Sequence, residues 1–195
     1  QICNMFKEVL DIKYFKNNSD VKNAANNVNN ALSNAEGEII KILYMDDFFV
    51  DSNALGKIYK AFQENSGKWL INGFTHSDYE RTKFFDTRIP CFDDKRVNGD
   101  NTTGNPSSYA VRKEYVLEMD ENLLWLVDGE YFYRSYFNYG DPIIINDILV
   151  AFREHEYSAF LDPKYMELDQ KERKYCVEKD RKSTRLNSSH RCISY

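Results

Sequence analysis

Between Val21 and Ala35 the apolar residues Val21, Ala24, Ala25, Val28, Ala31, Leu32 and Ala35 recur at steps of three and four, and Ile39 to Met45 follows as nearly continuous apolar sequence. The first pattern predicts a helix with one apolar face, closed by a left-handed cap at Gly37. The second predicts a strand buried on both faces, as in a largely parallel sheet. The same pair then repeats. Asp51 can cap a second helix with Leu55, Ile58, Tyr59 and Phe62 on one side, Asn65 and Gly67 break it, and Trp69 to Phe74 supplies the next strand. Helix, strand, helix, strand restricts the chain to an α/β layer fold with a right-handed crossover.

The remaining elements are shorter. A helix is expected from Ile2 to Val9 and a brief strand from Ile12 to Phe15, ended by Asn17, Asn18 and Ser19. From Asp93 to Pro106 the chain is rich in Asp, Asn, Gly and Thr, which marks a long loop of the kind that often covers a substrate. Strands are expected at Ser108 to Val111, Ile143 to Ile145 and Ile148 to Phe152. After the apolar Leu123 to Val127, a helix opens at Asp128, places Tyr131, Phe132 and Tyr136 on one face and stops at Gly140 before Pro142.

With 195 residues, of which 42% are apolar and 15% aromatic, the chain can bury the core of one globular domain. No apolar run approaches the roughly 18 residues that cross a bilayer, so no transmembrane segment is expected. The formal charge of −5 argues against a nucleic-acid partner, which calls for a basic face. Cys3, Cys91, Cys176 and Cys192 form no CxxC pair and suggest neither a disulfide framework nor a zinc site. A reducing cytoplasm is therefore the expected setting.

Three groups of residues could carry chemistry. Asp46 and Asp47 end a buried strand, where open α/β sheets bind ligands, and adjacent carboxylates can give oxygen ligands to a hard divalent cation. The plainer alternative is a solvated turn. Asp128 and Glu130 fall in the first turn of a helix, where acidic residues also serve simply as electrostatic caps. Arg153, His155 and Ser158 could bring a forked cation, a ring nitrogen and a hydroxyl to a diphosphate, or could be a polar strand end in water. His76, Asp78 and Asp86 are isolated and read as surface residues.

Taken in order, these stretches resemble a family 2 glycosyltransferase of the GT-A fold, from about Ile12 to about Ser158. NNVNNALSNAEGEIIKILYMDDFF is similar to the passage from the helix beneath the donor site into the strand with the Asp-x-Asp-like metal motif. Tyr44 stands where many members have the first acid, which leaves Asp46 and Asp47 as a variant motif. TTGNPSSYAVRKEYVLEMDENLLWLVDGEYFYR is similar to the acceptor-side segment, with Val127 in place of the usual Glu and Asp128 matching the catalytic base. VAFREHEYS is similar to a closing segment whose Arg, His and Ser approach the leaving diphosphate, here Arg153, His155 and Ser158. The resemblance implies a Rossmann-like, mostly parallel sheet flanked by helices. It further implies Mn2+ or Mg2+ at Asp46 and Asp47, a nucleotide-sugar donor, a glycan or other hydroxyl acceptor, and inversion at the sugar. Surface polysaccharide synthesis, in the cytoplasm or at the inner face of the membrane, is the setting it implies.

Both ends read as cuts. Gln1 is not an initiator Met, and the resemblance implies an amino-terminal nucleotide-binding strand upstream of it. At the other end DRKSTRLNSSH resembles the translation of a short-read sequencing adapter, and ISY resembles the translation of the adapter stretch beyond its variable index. The expected organisation is thus a partial GT-A domain at 1–179 and a non-native, disordered tail at 180–195. Two rivals stay open: an inactive truncated binding or structural module, and another metal-dependent enzyme of phosphate esters. The sugar, nucleotide, acceptor and oligomeric state are left unspecified.

Overall fold

A computed structural model describes residues 5–6, 8–20, 23–91, 103–155 and 164–191. Among the described residues, the α-helices α1 (Ala24–Ser33), α2 (Ala54–Glu64), α3 (Val127–Tyr139) and α4 (Lys164–Arg191) flank a six-stranded sheet. The strands are β1 (Ile39–Lys41), β2 (Phe48–Phe49), β3 (Trp69–Ser77), β4 (Phe84–Arg88), β5 (Tyr109–Arg112) and β6 (Ile143–Arg153). Their order is β1-β5-β3-β6-β2, with β4 paired to β3. The expected α/β architecture is present, but the sheet is mixed: of five pairings among the described residues, only β3 with β6 is parallel. A strand buried on both faces has the same apolar sequence in either direction, so the pattern that predicts burial carries no sign for orientation.

Period-two alternation through the central strands divides the core between two faces. Trp69, Ile71, Tyr109 and Val111 point to the side covered by Ala25, Val28 and Leu32 of α1, Val127, Tyr131 and Phe132 of α3 and Cys176 of α4. Leu70, Phe74, Ala110, Leu149 and Val150 point to the opposite side, covered by Ala54, Ile58 and Phe62 of α2. Leu55 and Tyr59, expected on the buried side of α2, are 57% exposed each, because the stripe that meets the sheet runs through residues 54, 58 and 62. Trp69 also donates from Nε1 to the Gly140 carbonyl at 2.9 Å, which ties the end of α3 to β3.

Caps decide several boundaries. Asn23 caps α1 by accepting from the Asn26 N–H, and the helix ends at Asn34 in right-handed geometry rather than at a left-handed Gly37. The Asn34 side chain reaches back to the Asn30 carbonyl at 2.7 Å, so the open carbonyls are satisfied before Gly37 is reached. Gly140 does close α3, at φ 78° with its N–H on the Tyr136 carbonyl. Ile12–Phe15 is irregular and Tyr14 is 82% exposed, since no described strand lies beside it. Half of the expected helix from Ile2 to Val9 falls outside the described residues, and most of the loop at 93–106 does too. Helix α4 runs on through 180–191, for which the sequence predicts no regular structure; a helix needs only its own backbone bonds to continue.

The two strands expected at 143–145 and 148–152 are one strand, β6, interrupted where its register against β3 shifts beside Gly73. A Cβ at Gly73 would stand 2.8 Å from the Asp147 carbonyl oxygen and 3.2 Å from that of Asn146. Backbone oxygens in a sheet cannot move aside cheaply, so Gly73→Ala is expected to cost about 1–3 kcal/mol. A melting curve checks this, and an unchanged midpoint would mean that the bulge yields. None of the described helices is long and apolar enough to cross a membrane.

Candidate active site

Strands β1 and β2 lie at opposite ends of the sheet order, so residues 42–47 must cross one end of the sheet to connect them. Along the way the Tyr44 N–H donates to Ser107 Oγ at 2.8 Å, just before β5, and β2 then pairs with Val150 and Ala151 of β6. This crossing sets Asp46 and Asp47 over the start of β5 and the end of β6, where Arg153 is the last strand residue. Asp47 Oδ2 accepts from Asn105 Nδ2 at 2.7 Å and from Ser107 Oγ at 2.5 Å. Burial raises the Asp47 carboxyl, and the bonds from Ser107, Asn105 and the Arg153 N–H pull the other way. Beneath it, the Lys41 ammonium donates to Asn72 Oδ1 at 3.2 Å and to the Ser107 and Tyr109 carbonyls. Burial lowers Lys41 to about 7 against the opposing attraction of Asp47.

Asp46 is half exposed. One of its oxygens faces Arg153 Nη2 at 3.8 Å and the other lies 3.3 Å from His155 Nε2. The Arg153 guanidinium carbon lies 5.2 Å from the centre of the Tyr79 ring, and its Nε is buried without a hydrogen-bond partner among the described residues. Beside this group a cleft of about 590 Å3 opens between α1 and β1, lined by Val28, Leu32, Ile40, Ile42, Tyr44 and Asp46 among others.

Asp128 stands at the start of α3, within reach of the Asp47 charge. Its Oδ1 is shut off from water and has no hydrogen-bond partner among the described residues. Burial, and then the charge of Asp47, raise this carboxyl to about 7. The Tyr44 hydroxyl is likewise buried and unpartnered, and it is raised first by burial and then by Asp128 and Asp47. Asp46 thus meets Arg153 and His155, and the adjacent Asp47 interacts through its charge with Asp128, whereas Ser158 lies outside the described residues.

Capping does not account for Asp128. Among the described residues Asp128 accepts no hydrogen bond from a backbone N–H, and the segment that runs into α3 is held instead by Glu172 of α4, which accepts from the Leu124, Trp125 and Leu126 N–H groups at 2.9, 3.0 and 2.9 Å. Glu130 is no surface decoration either: it is 6% exposed and bonds Arg134 and Lys179, each at 2.7 Å. His76, Asp78 and Asp86, read as surface residues, hold the β3–β4 region together. Asp78 accepts from the Thr82 N–H at 2.7 Å and the Lys83 N–H at 3.0 Å, and Asp86 lies 3.4 Å from His76. Asn105, Ser107, Lys41 and Glu172 are the site's supports that the sequence reading misses. Only Asn105-Pro106-Ser107 leaves a local trace, as a turn.

Among the described residues no group of three or more His, Cys, Asp or Glu side chains is gathered to hold a metal ion. The Asp46 and Asp47 oxygens are of the hard type that Mg2+ and Mn2+ accept, and with Asp46 half exposed the pair can supply part of an octahedral shell. The rest would fall to water or to oxygens of a bound phosphate.

No protein-family profile matches the chain, and no curated protein does. Among solved structures the chain shares the fold of S. aureus TarS, a glycosyltransferase. The chain is similar to S. aureus TarS 1-349 in complex with UDP, with a TM-score of 0.61 and 16% identity over 86% of this chain and 49% of that one. Against TarS 1-349 in complex with UDP-GlcNAc the TM-score is 0.58, with 18% identity over 86% of this chain and 52% of that one. A further structure of TarS 1-349 gives 0.59 and 16%, over 78% of this chain and 46% of that one. The chain thus spans about half the length of these neighbours.

Proposed function

We propose that the chain is the donor-binding and catalytic part of a metal-dependent, inverting glycosyltransferase of the family 2 type. It would move a sugar from a nucleotide diphosphate to a hydroxyl of a glycan or other acceptor, in the synthesis of a surface polysaccharide or similar glycan. The observation that carries this reading is the buried, unpartnered Asp128 Oδ1, whose carboxyl feels the charge of Asp47, next to an Asp46 that meets Arg153 and His155. The fold shared with TarS, solved with UDP and with UDP-GlcNAc, supports a nucleotide-sugar donor.

In this reading Asp128 accepts the proton of the acceptor hydroxyl as that oxygen attacks the anomeric carbon from the face opposite the nucleotide. The bond to the diphosphate breaks and the configuration inverts. Arg153 and His155, held by Asp46 in the free protein, turn to the leaving diphosphate and offset its growing charge. Asp46 and Asp47 would hold Mg2+ or Mn2+, which when bound acts as a Lewis acid on the phosphate oxygens. Asn105 and Ser107 fix the Asp47 carboxylate in place for that task.

The test is turnover of UDP-GlcNAc by the purified chain with and without Mn2+. Release of UDP that stops on chelation and resumes on adding the metal is the expected result. Phosphate release from simple esters instead would favour the rival enzyme class. Failure to bind or turn over any nucleotide sugar would favour an inactive module.

A further inference from the structure

Helix α4 lies against the segment that leads into Asp128. Its residues 169, 172, 175 and 179 recur at steps of three and four and so share one face. Each of them meets residues 120–130. Trp125 Nε1 donates to Asp169 at 3.2 Å, Tyr175 Oη donates to Asp120 at 2.9 Å, and Lys179 reaches Asp120 at 2.6 Å and Glu130 at 2.7 Å. Glu172 lies at the centre of this face, 5% exposed, with both carboxylate oxygens spent on three consecutive backbone N–H groups. Those three residues lead directly into Val127 and Asp128. Leu126, at the N-cap position of α3, has no side-chain cap of its own, so this end of the helix is held by a residue more than forty positions away in sequence.

We infer that Glu172 is a positioning residue for Asp128: from a second helix it anchors the segment that runs into α3 and thereby sets where the Asp128 carboxyl projects. The inference rests on the reading of Asp128 as the base. A carboxylate bonding three N–H groups fixes the direction in which α3 begins, and that direction sets where the second residue of the helix projects. Were Asp128 itself the cap, its oxygens would be turned back onto the backbone. Misplacing a catalytic group by about 1 Å can cost about a hundredfold in rate.

The experiment compares Glu172→Gln and Glu172→Asp with Lys179→Met, which breaks the ion pairs to Asp120 and Glu130 in the same helix contact but leaves Glu172 in place. UDP-GlcNAc turnover is measured in the full chain beside melting curves. Gln keeps the length and loses the charge, whereas Asp keeps the charge and falls a methylene short. Both are expected to lower kcat about tenfold or more with donor KM within about twofold, because donor contacts are untouched. Lys179→Met is expected to lower the melting midpoint and leave kcat near wild type. Equal kcat losses in all three variants would reduce Glu172 to a structural brace and overturn the inference. So would wild-type kcat in both Glu172 variants while Asp128→Asn is inactive, in which case the reading of Asp128 survives. An active Asp128→Asn would bring down both together.

Discussion

Asp128→Asn is expected to reduce sugar transfer about a thousandfold and, above neutral pH, to make the fold more stable. Loss of a general base commonly costs about a hundredfold to ten-thousandfold in rate. The stability gain follows from the same burial. The Asp128 carboxyl titrates at about 7 in the folded chain and near 3.9 when unfolded. Between those values the folded state binds the extra proton, so its stability falls as pH rises from about 4 to about 7, and above that range the cost of the buried charge is fully present. Asparagine removes the cost, so the variant gains about 1–3 kcal/mol at pH 8 and gains nothing near pH 4. Melting curves at the two pH values check the sign. The same titration makes turnover rise with pH through about 7, since only the ionised carboxylate can take a proton.

The second large effect is expected at Asp47. Asp47→Asn removes a charge from the acidic pair and puts an amide where Asn105 and Ser107 donate, so metal-dependent binding of the nucleotide sugar should weaken about a hundredfold or more. Calorimetric titration of UDP-GlcNAc with Mn2+ measures this. The substitution also reaches Asp128, because the charge of Asp47 is one of the two causes that raise it. The effect on binding and the effect on the base arise from one carboxylate, and they separate this site from a solvated turn, where neither would occur.

Much of the candidate site is legible in the sequence because its residues stand at element boundaries, where residue identity reports chain direction. Asp46 and Asp47 stand at the end of an apolar run, Asp128 at a helix start, and Arg153 with His155 at a strand end, so α/β layering alone suffices to place them near one edge of a sheet. Pairing direction was not legible, because burial of β3 and β5 on both faces erases any polar alternation that would distinguish their sides. Strand β4 also went unseen: its residues are all exposed, it follows β3 through a turn in which Arg81 has φ 60°, and Asp86 within the strand itself has φ 49°. The supports of the site were hidden for a different reason. Lys41 and Glu172 are charged residues in apolar surroundings, which a sequence presents as ordinary surface positions, and their partners lie 31 to 68 and 46 to 48 residues away.

That Asp47 and Asp128 act on each other is tested most directly by following the Asp128 carboxyl carbon by 13C NMR as pH is varied, in the wild-type chain and in Asp47→Asn. The Asp128 signal is assigned by its loss in Asp128→Asn. A wild-type midpoint near 7 that falls in Asp47→Asn is the predicted result. A midpoint in the ordinary carboxylate range near 4, or one that Asp47→Asn leaves in place, would contradict it.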